Sequence, residues 1–157
     1  MDALDRQAAE LNEALWGFIR AYQFRDRDRI CCHDVSVTQC HALDVLLRRD
    51  RCTLNELAAE LFLDKSTASR VVATLERKGY VARTRHPRDQ RAVLLAATTA
   101  GRKTYARINE GLLVERRQIL ASFPPEVREQ AAELIQRLTD ALAARAACAP
   151  ATGQPVG

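Results

Sequence analysis

Residues 64–91 read DKSTASRVVATLERKGYVARTRHPRDQR. Asp64 is a candidate helix N-cap, because a carboxylate there accepts from the unpaired amides of the first turn. Ala68, Val71, Val72 and Leu75 recur at helical spacing as one apolar face of a helix running to Lys78. Gly79 follows where a left-handed residue closes such a helix. Tyr80 to Arg85 is predicted as a strand, His86-Pro87-Arg88-Asp89 as a turn, and Gln90 to Ala96 as the returning strand. The segment holds eight Lys/Arg against three acids, a local charge of +5 in a chain of +4, so all the rest sums to −1. Cations gathered on one supersecondary unit suit a polyanion, because they displace phosphate counterions on binding.

Working outward, Thr53-Leu54-Asn55-Glu56 has the capping-box pattern and opens a short helix with Leu54, Leu57, Ala58 and Leu61 as its inner positions. Ser36 begins the helix before it, with Cys40, Leu43, Leu46 and Leu47 apolar. A turn is expected over Cys31–Val37. Asp2 to about Arg29 is a long helix with Leu4, Leu11, Leu15, Phe18 and Tyr22 on one stripe. Downstream, a helix from Thr99 to about Ser122 offers Tyr105, Ile108, Leu112, Ile119 and Phe123. Pro125 then opens a last helix to about Ala147, with Val127, Ala131, Leu134, Leu138 and Leu142 on one side. The expected organisation is residues 1–35 an N-terminal dimerisation helix, 36–98 a winged helix-turn-helix, 99–147 C-terminal dimerisation helices, and 148–157 a disordered tail. The fold class is mainly α with a small β-hairpin wing. The flanking stripes are longer than one small domain can cover, and two protomers could bury them against each other.

At 157 residues, 47% hydrophobic and 28% charged, the composition fits one globular domain or two small lobes. No apolar run approaches the ~18 residues of a membrane span. The N-terminus has early acids and no apolar core of the kind a signal peptide carries, so a cytoplasmic protein is expected. Five cysteines, an odd number without a secretion signal, argue for reduced thiols.

A short helix, a tight turn and a second helix with small polar residues at its start describe a helix-turn-helix. The second helix enters the major groove, and Lys65, Ser66, Thr67, Ser69 and Arg70 are its candidate readers. The basic hairpin beside it, with Arg83, Arg85, Arg88 and Arg91, has the form of a wing reaching the minor groove or the backbone.

With those residues in view, Asp64 to Arg70, Leu75 to Val81, the wing segment Arg88 to Leu95, and Thr98 with Gly101 together resemble the MarR family of winged-helix regulators. The likeness spans nearly the whole chain. The resemblance implies that Arg91 reaches into the minor groove and that Asp89 orients the wing. It also implies a homodimer on a pseudo-palindromic double-stranded operator, usually a repressor. An effector would bind between the dimerisation helices and the winged domain. Ala97 departs from the family, which usually has a Leu there, and this bears on packing at the base of the wing.

A second cluster, Cys31, Cys32 and His33 followed by Cys40 and His41, lies at the expected helix 1/helix 2 junction, which borders the effector cleft in the family it resembles. Three readings stand. Cys40 is a small core residue and its neighbours are incidental; the thiols form a redox switch; or the five residues bind a soft metal or metalloid ion. In metal-responsive relatives of this kind further ligands are His residues on the later dimerisation helix. This chain has no His after His86, which tilts a metal site toward sulfur. A small organic effector, phenolic or drug-like, with inert cysteines is the alternative.

An enzyme is not expected. Cys40 and His41 are helix neighbours pointing ~100° apart, and no nucleophile motif or paired-carboxylate site is present. An architectural DNA-binding or metal-buffering protein remains a third class, distinguished by uniform rather than sparse occupancy of DNA.

Overall fold

The computed structural model describes residues 2–31, 33–85 and 93–148, with backbone alone for 25–31 and 146–148. The expected wing turn at 86–89, with Arg88, Asp89 and Arg91, the thiols of Cys31 and Cys32, and the expected tail from 149 lie outside the described positions. The described residues form α1 (Ala3–Cys31), α2 (Val37–Arg49), β1 (Cys52–Thr53), α3 (Leu54–Glu60), α4 (Lys65–Arg77), β2 (Val81–Arg85), β3 (Val93–Ala97), α5 (Thr99–Ala121) and α6 (Pro125–Cys148). Helices carry most of it, as the sequence pattern predicts. Two units are separable, residues 1–111 and 112–157, with α5 running from the first into the second.

Helix starts in the first unit are set by side chains. Ser36 Oγ accepts from Gln39 N (3.2 Å) while Gln39 Oε1 accepts from Ser36 N (3.2 Å). Thr53 and Glu56 make the same reciprocal pair at α3, with Thr53 N to Glu56 Oε2 at 2.7 Å. Each box satisfies two amides that the helix leaves unpaired. Both fit the Ser/Thr-x-x-Glu/Gln pattern of the sequence, although only the second was read as a box.

The core lies among α2, α3, α4 and the sheet. Leu43 and Leu46 from α2, Leu57 from α3, Val72 and Leu75 from α4, and Leu95 from β3 are fully enclosed. Truncating one such leucine to alanine typically costs about 2–5 kcal/mol. The expected inner positions Leu54 and Leu61 are only half-buried.

The sheet runs β1-β3-β2, all antiparallel. Cys52 faces Leu95 across β1–β3, and Val81 faces Ala97 across β2–β3. The two-residue β1 was not foreseen, because two residues carry no periodicity, and Thr53 reads equally as a helix cap. Alanine at 97 fits a buried site opposite Val81.

Gly79 has φ +73°, the left-handed closure expected after α4. Thr98 then ties the returning strand back to that turn. Its amide donates to Tyr80 O (2.9 Å) and its hydroxyl to Gly79 O (2.6 Å), while Gly101 N donates to Thr98 Oγ1 (3.1 Å). Gly101 permits this approach. A Cβ there would overlap the Tyr80 carbonyl oxygen, and would stand 3.1 Å from its carbon and 3.3 Å from Leu43 Cδ2.

The long helices carry the apolar stripes that the sequence places on them. Their apolar stripes are largely uncovered in the single chain: Leu4, Leu11 and Phe18 on α1, and Val127, Leu134 and Leu142 on α6, are exposed. On α5, Ile108 is buried, but Ile119 and Phe123 beyond it are exposed.

Gly101→Ala is expected to lower stability by about 1–3 kcal/mol, the usual cost of overpacking a site that cannot yield. Urea unfolding at fixed protein concentration measures it.

Candidate nucleic-acid interface

On α4 the buried face is Ala68, Val72 and Leu75. At about 100° per residue, Ser66, Arg70, Ala73 and Arg77 fall on the opposite side, and all four are exposed. Lys65 and Ser69 lie on one flank and Thr67 on the other. Arg77 was counted as a cation in the sequence but not as a reader. The i, i+4, i+11 spacing of Ser66, Arg70 and Arg77 was the signal that places it on this face.

Asp64 caps the helix. Its Oδ1 accepts from Thr67 N (2.8 Å) and its Oδ2 from the Thr67 hydroxyl (2.6 Å). These bonds, with further ones from Ser66, hold the carboxyl down at about 2, below its ordinary 3.8. The Thr67 hydroxyl thus donates its hydrogen bond to Asp64 and accepts one from Arg70 Nη2 (3.4 Å). One turn on, Thr74 donates to Arg70 O (3.0 Å) and accepts from Arg77 Nη2 (3.2 Å).

The wing is joined to one flank of α4. Arg83 Nε donates to Glu76 Oε1 at 2.7 Å, so this guanidinium is already engaged within the chain. Arg85, at the far end of β2 opposite Val93, is exposed. On the other flank Lys78, the C-cap of α4, reaches the α1–α2 turn. Its ammonium donates to Asp34 O, to Asp34 Oδ1 (3.3 Å) and to Gln39 Oε1 (3.4 Å).

Of the Cys/His cluster, the side chains of His33, Cys40 and His41 are described. Cys40 is buried at 7% exposure, while its neighbour His41 is exposed and His33 half-buried. Burial first, then the nearby Asp44 carboxylate, pushes the Cys40 thiol up to about 11. Cys52 is likewise enclosed and raised, mainly by burial. Among the described residues no group of three or more His, Cys, Asp or Glu is placed to hold a metal ion.

An unforeseen pair joins α2 to α5. Tyr105 OH donates to Asp44 Oδ1 at 2.6 Å, and Arg48 Nε donates to Asp44 Oδ2 at 3.0 Å. Burial, reinforced by the Asp44 bond and charge, raises the Tyr105 phenol well above its usual range, so it stays protonated.

A capped helix whose outer face carries Ser, Arg and Arg, flanked by a paired hairpin, defines a winged helix-turn-helix DNA-binding regulator, and comparisons with known proteins agree. The MarR family profile matches residues 33–92. An HTH-type transcriptional regulator of Mycobacterium leprae, itself uncharacterised, is 32% identical over 143 residues, covering 89% of this chain and 97% of that one. The chain belongs to the MarR family, whose members are transcription regulators and not enzymes. Among solved structures, FabT of Streptococcus pneumoniae in complex with DNA has TM-score 0.73 at 22% identity, covering 86% of this chain and 96% of that one. NadR in complex with 4-hydroxyphenylacetate has TM-score 0.72 at 22% identity, covering 85% and 92%. No described helix is long and apolar enough to cross a membrane.

The Asp64 cap makes stability depend on acid pH. Its folded-state value lies below 3.8, so its contribution is complete above about pH 4 and disappears as pH falls through about 2. Asp64→Ala is expected to lower the urea midpoint at pH 7, and the gap from wild type should close between pH 4 and pH 2.

Proposed function

We propose that the chain acts as a cytoplasmic homodimer that reads a pseudo-palindromic operator, one α4 per half-site, and works as a repressor. The observation that carries this is the outer face of α4, where Ser66, Arg70 and Arg77 stand opposite the buried side with Lys65 and Ser69 beside them. Arg70 suits bidentate bonding to guanine. Arg85 belongs to the wing with Arg88 and Arg91, where Arg91 takes the minor-groove role and Asp89 orients the tip. Residues 36–98 form the reading domain.

Dimerisation by residues 1–35 and 99–147 is supported by the exposed stripes of α1, α5 and α6. Burying one large aliphatic or aromatic side chain contributes about 1.5–3 kcal/mol. Soluble monomers rarely leave contiguous apolar surface beyond a few hundred Å² open. Association is thus the natural fate of Leu11, Phe18, Leu134 and Leu142.

DNA affinity is set by an effector near the α1–α2 junction. A small organic ligand, phenolic or drug-like, is favoured over thiol or metal chemistry at Cys40, because that thiol is enclosed and held protonated. A soft metal, metalloid or oxidant reading rests instead on Cys31 and Cys32, with His33 and His41 as auxiliary ligands.

Two measurements test these readings. On a site selected from a random DNA pool, affinity should fall steeply with salt. Arg70→Ala should lose about 1–3 kcal/mol and relax specificity at one base pair; equal loss on every sequence would remove its base-reading role. At pH 7 a thiol at about 11 is ionised in roughly one molecule in ten thousand. Cys40 should therefore resist a disulfide reagent in the native protein and react only after denaturation, read by mass spectrometry of the digest. Rapid native labelling of Cys40 would return it to the sensor.

A further inference from the structure

The α1–α2 turn and the recognition helix meet at one side chain. Lys78 closes α4, and its ammonium donates to the Asp34 carbonyl, the Asp34 carboxylate and the Gln39 side chain. Asp34 holds φ +64°, a left-handed conformation that Asp tolerates better than most residues. In this turn both its carbonyl and its carboxylate are presented to the same cation. Gln39 Oε1 also accepts from Ser36 N, so the capping box of α2 and the end of α4 share an oxygen. The Lys78 side chain is only 26% exposed, whereas the Asp34 side chain is 76% exposed.

We propose that Lys78 is a positioning residue that fixes the tilt of α4 to the conformation of the α1–α2 turn, so that a change in this turn is transmitted to the DNA-reading face. The inference rests on α4 being the reading helix. Physically, a partly enclosed ammonium that loses its acceptors is costly to leave in place. If the turn moves, α4 must follow or Lys78 must swing into solvent and release the helix end. Either response alters where Ser66, Arg70 and Arg77 sit. The opposite flank, held by Glu76 and Arg83, supplies the pivot.

The charge sign separates this role from plain attraction to DNA. Removing the Asp34 charge makes the protein more positive, and general electrostatics then raises affinity for phosphate. Positioning predicts the reverse. Binding to the selected operator is measured across salt concentrations for wild type, Asp34→Asn, Lys78→Met and Lys78→Arg, with amide hydrogen exchange of residues 36–43 and 65–77. Asp34 is a surface side chain, so Asp34→Asn keeps the test available should Lys78→Met fold poorly. Asp34→Asn and Lys78→Met should both weaken binding by roughly 2- to 30-fold, the usual range for coupling residues. Their salt slope should match wild type, and exchange should quicken in both segments. Lys78→Arg should restore affinity. An affinity gain in Asp34→Asn, or a salt slope reduced by about one in Lys78→Met, would overturn the proposal and make Lys78 an ordinary phosphate contact. A wild-type protein whose DNA binding ignores salt would instead overturn the reading of α4 itself.

Discussion

Thr98 and Gly101 close on the peptide of Gly79 and Tyr80, and most of the reading unit is arranged around that approach. The chain leaves α4 at Gly79, runs out and back through β2 and β3, and returns to within hydrogen-bond distance of its point of departure. Three bonds of ordinary strength, each worth about 1 kcal/mol net, hold this point. They contribute less to stability than the enclosed leucines of α2, α3 and β3. What they set is geometry: the recognition helix ends, and the wing and α5 begin, at one anchored turn. Because Gly101 lacks a Cβ, α5 begins against Tyr80 and Leu43. From there Tyr105 meets Asp44 on α2, and Ile108 reaches the core.

Against that fixed base, α4 is restrained on both flanks. Glu76 and Arg83 join it to the wing, and Lys78 joins it to the α1–α2 turn. Exposed ion pairs contribute little to stability, about 0–1 kcal/mol. Their value here lies in direction, since each fixes one side of a helix whose core face is already held by Ala68, Val72 and Leu75. The outer face is left with local bonds among Thr67, Arg70, Thr74 and Arg77. It can therefore meet a partner without breaking anything that holds the fold.

The helices, the Asp64 cap, the Gly79 closure and the strand pair were legible in the sequence, because each rests on a local signal: period, cap chemistry or the special freedom of glycine. Signals spread over distant residues were not. The link from Lys78 to Asp34 joins positions 44 apart, and Tyr105 to Asp44 spans 61. Nothing in either neighbourhood announces the other. The Ser36–Gln39 box fits the same local pattern as Thr53–Glu56, so it was legible too, although only the Ser36 helix start was read. The stripes on α1 and α6 were read correctly as apolar, yet no pattern states what covers them. Cys40 was ambiguous because a thiol on an apolar face looks the same whether it senses or packs. Its enclosure beside Asp44 is the observation that supports the packing reading.

The same distinction applies to charge. Counting cations in residues 64–91 treats all eight as equal, but the surroundings of the six described ones divide them. Lys78 is bound to the α1–α2 turn and Arg83 to Glu76, so neither reaches a phosphate without giving up a partner. Arg70, Arg77, Lys65 and Arg85 are exposed on α4 and β2. A local excess of +5 thus contains two kinds of charge. On the proposed reading, one kind attracts DNA and the other sets how the attracting face is held. A mutation scan guided by charge alone would score both as contacts, although their effects on salt dependence differ in kind. Counterion release tracks only the cations that neutralise phosphate. The internally paired ones are proposed to act through the angle at which the rest are presented.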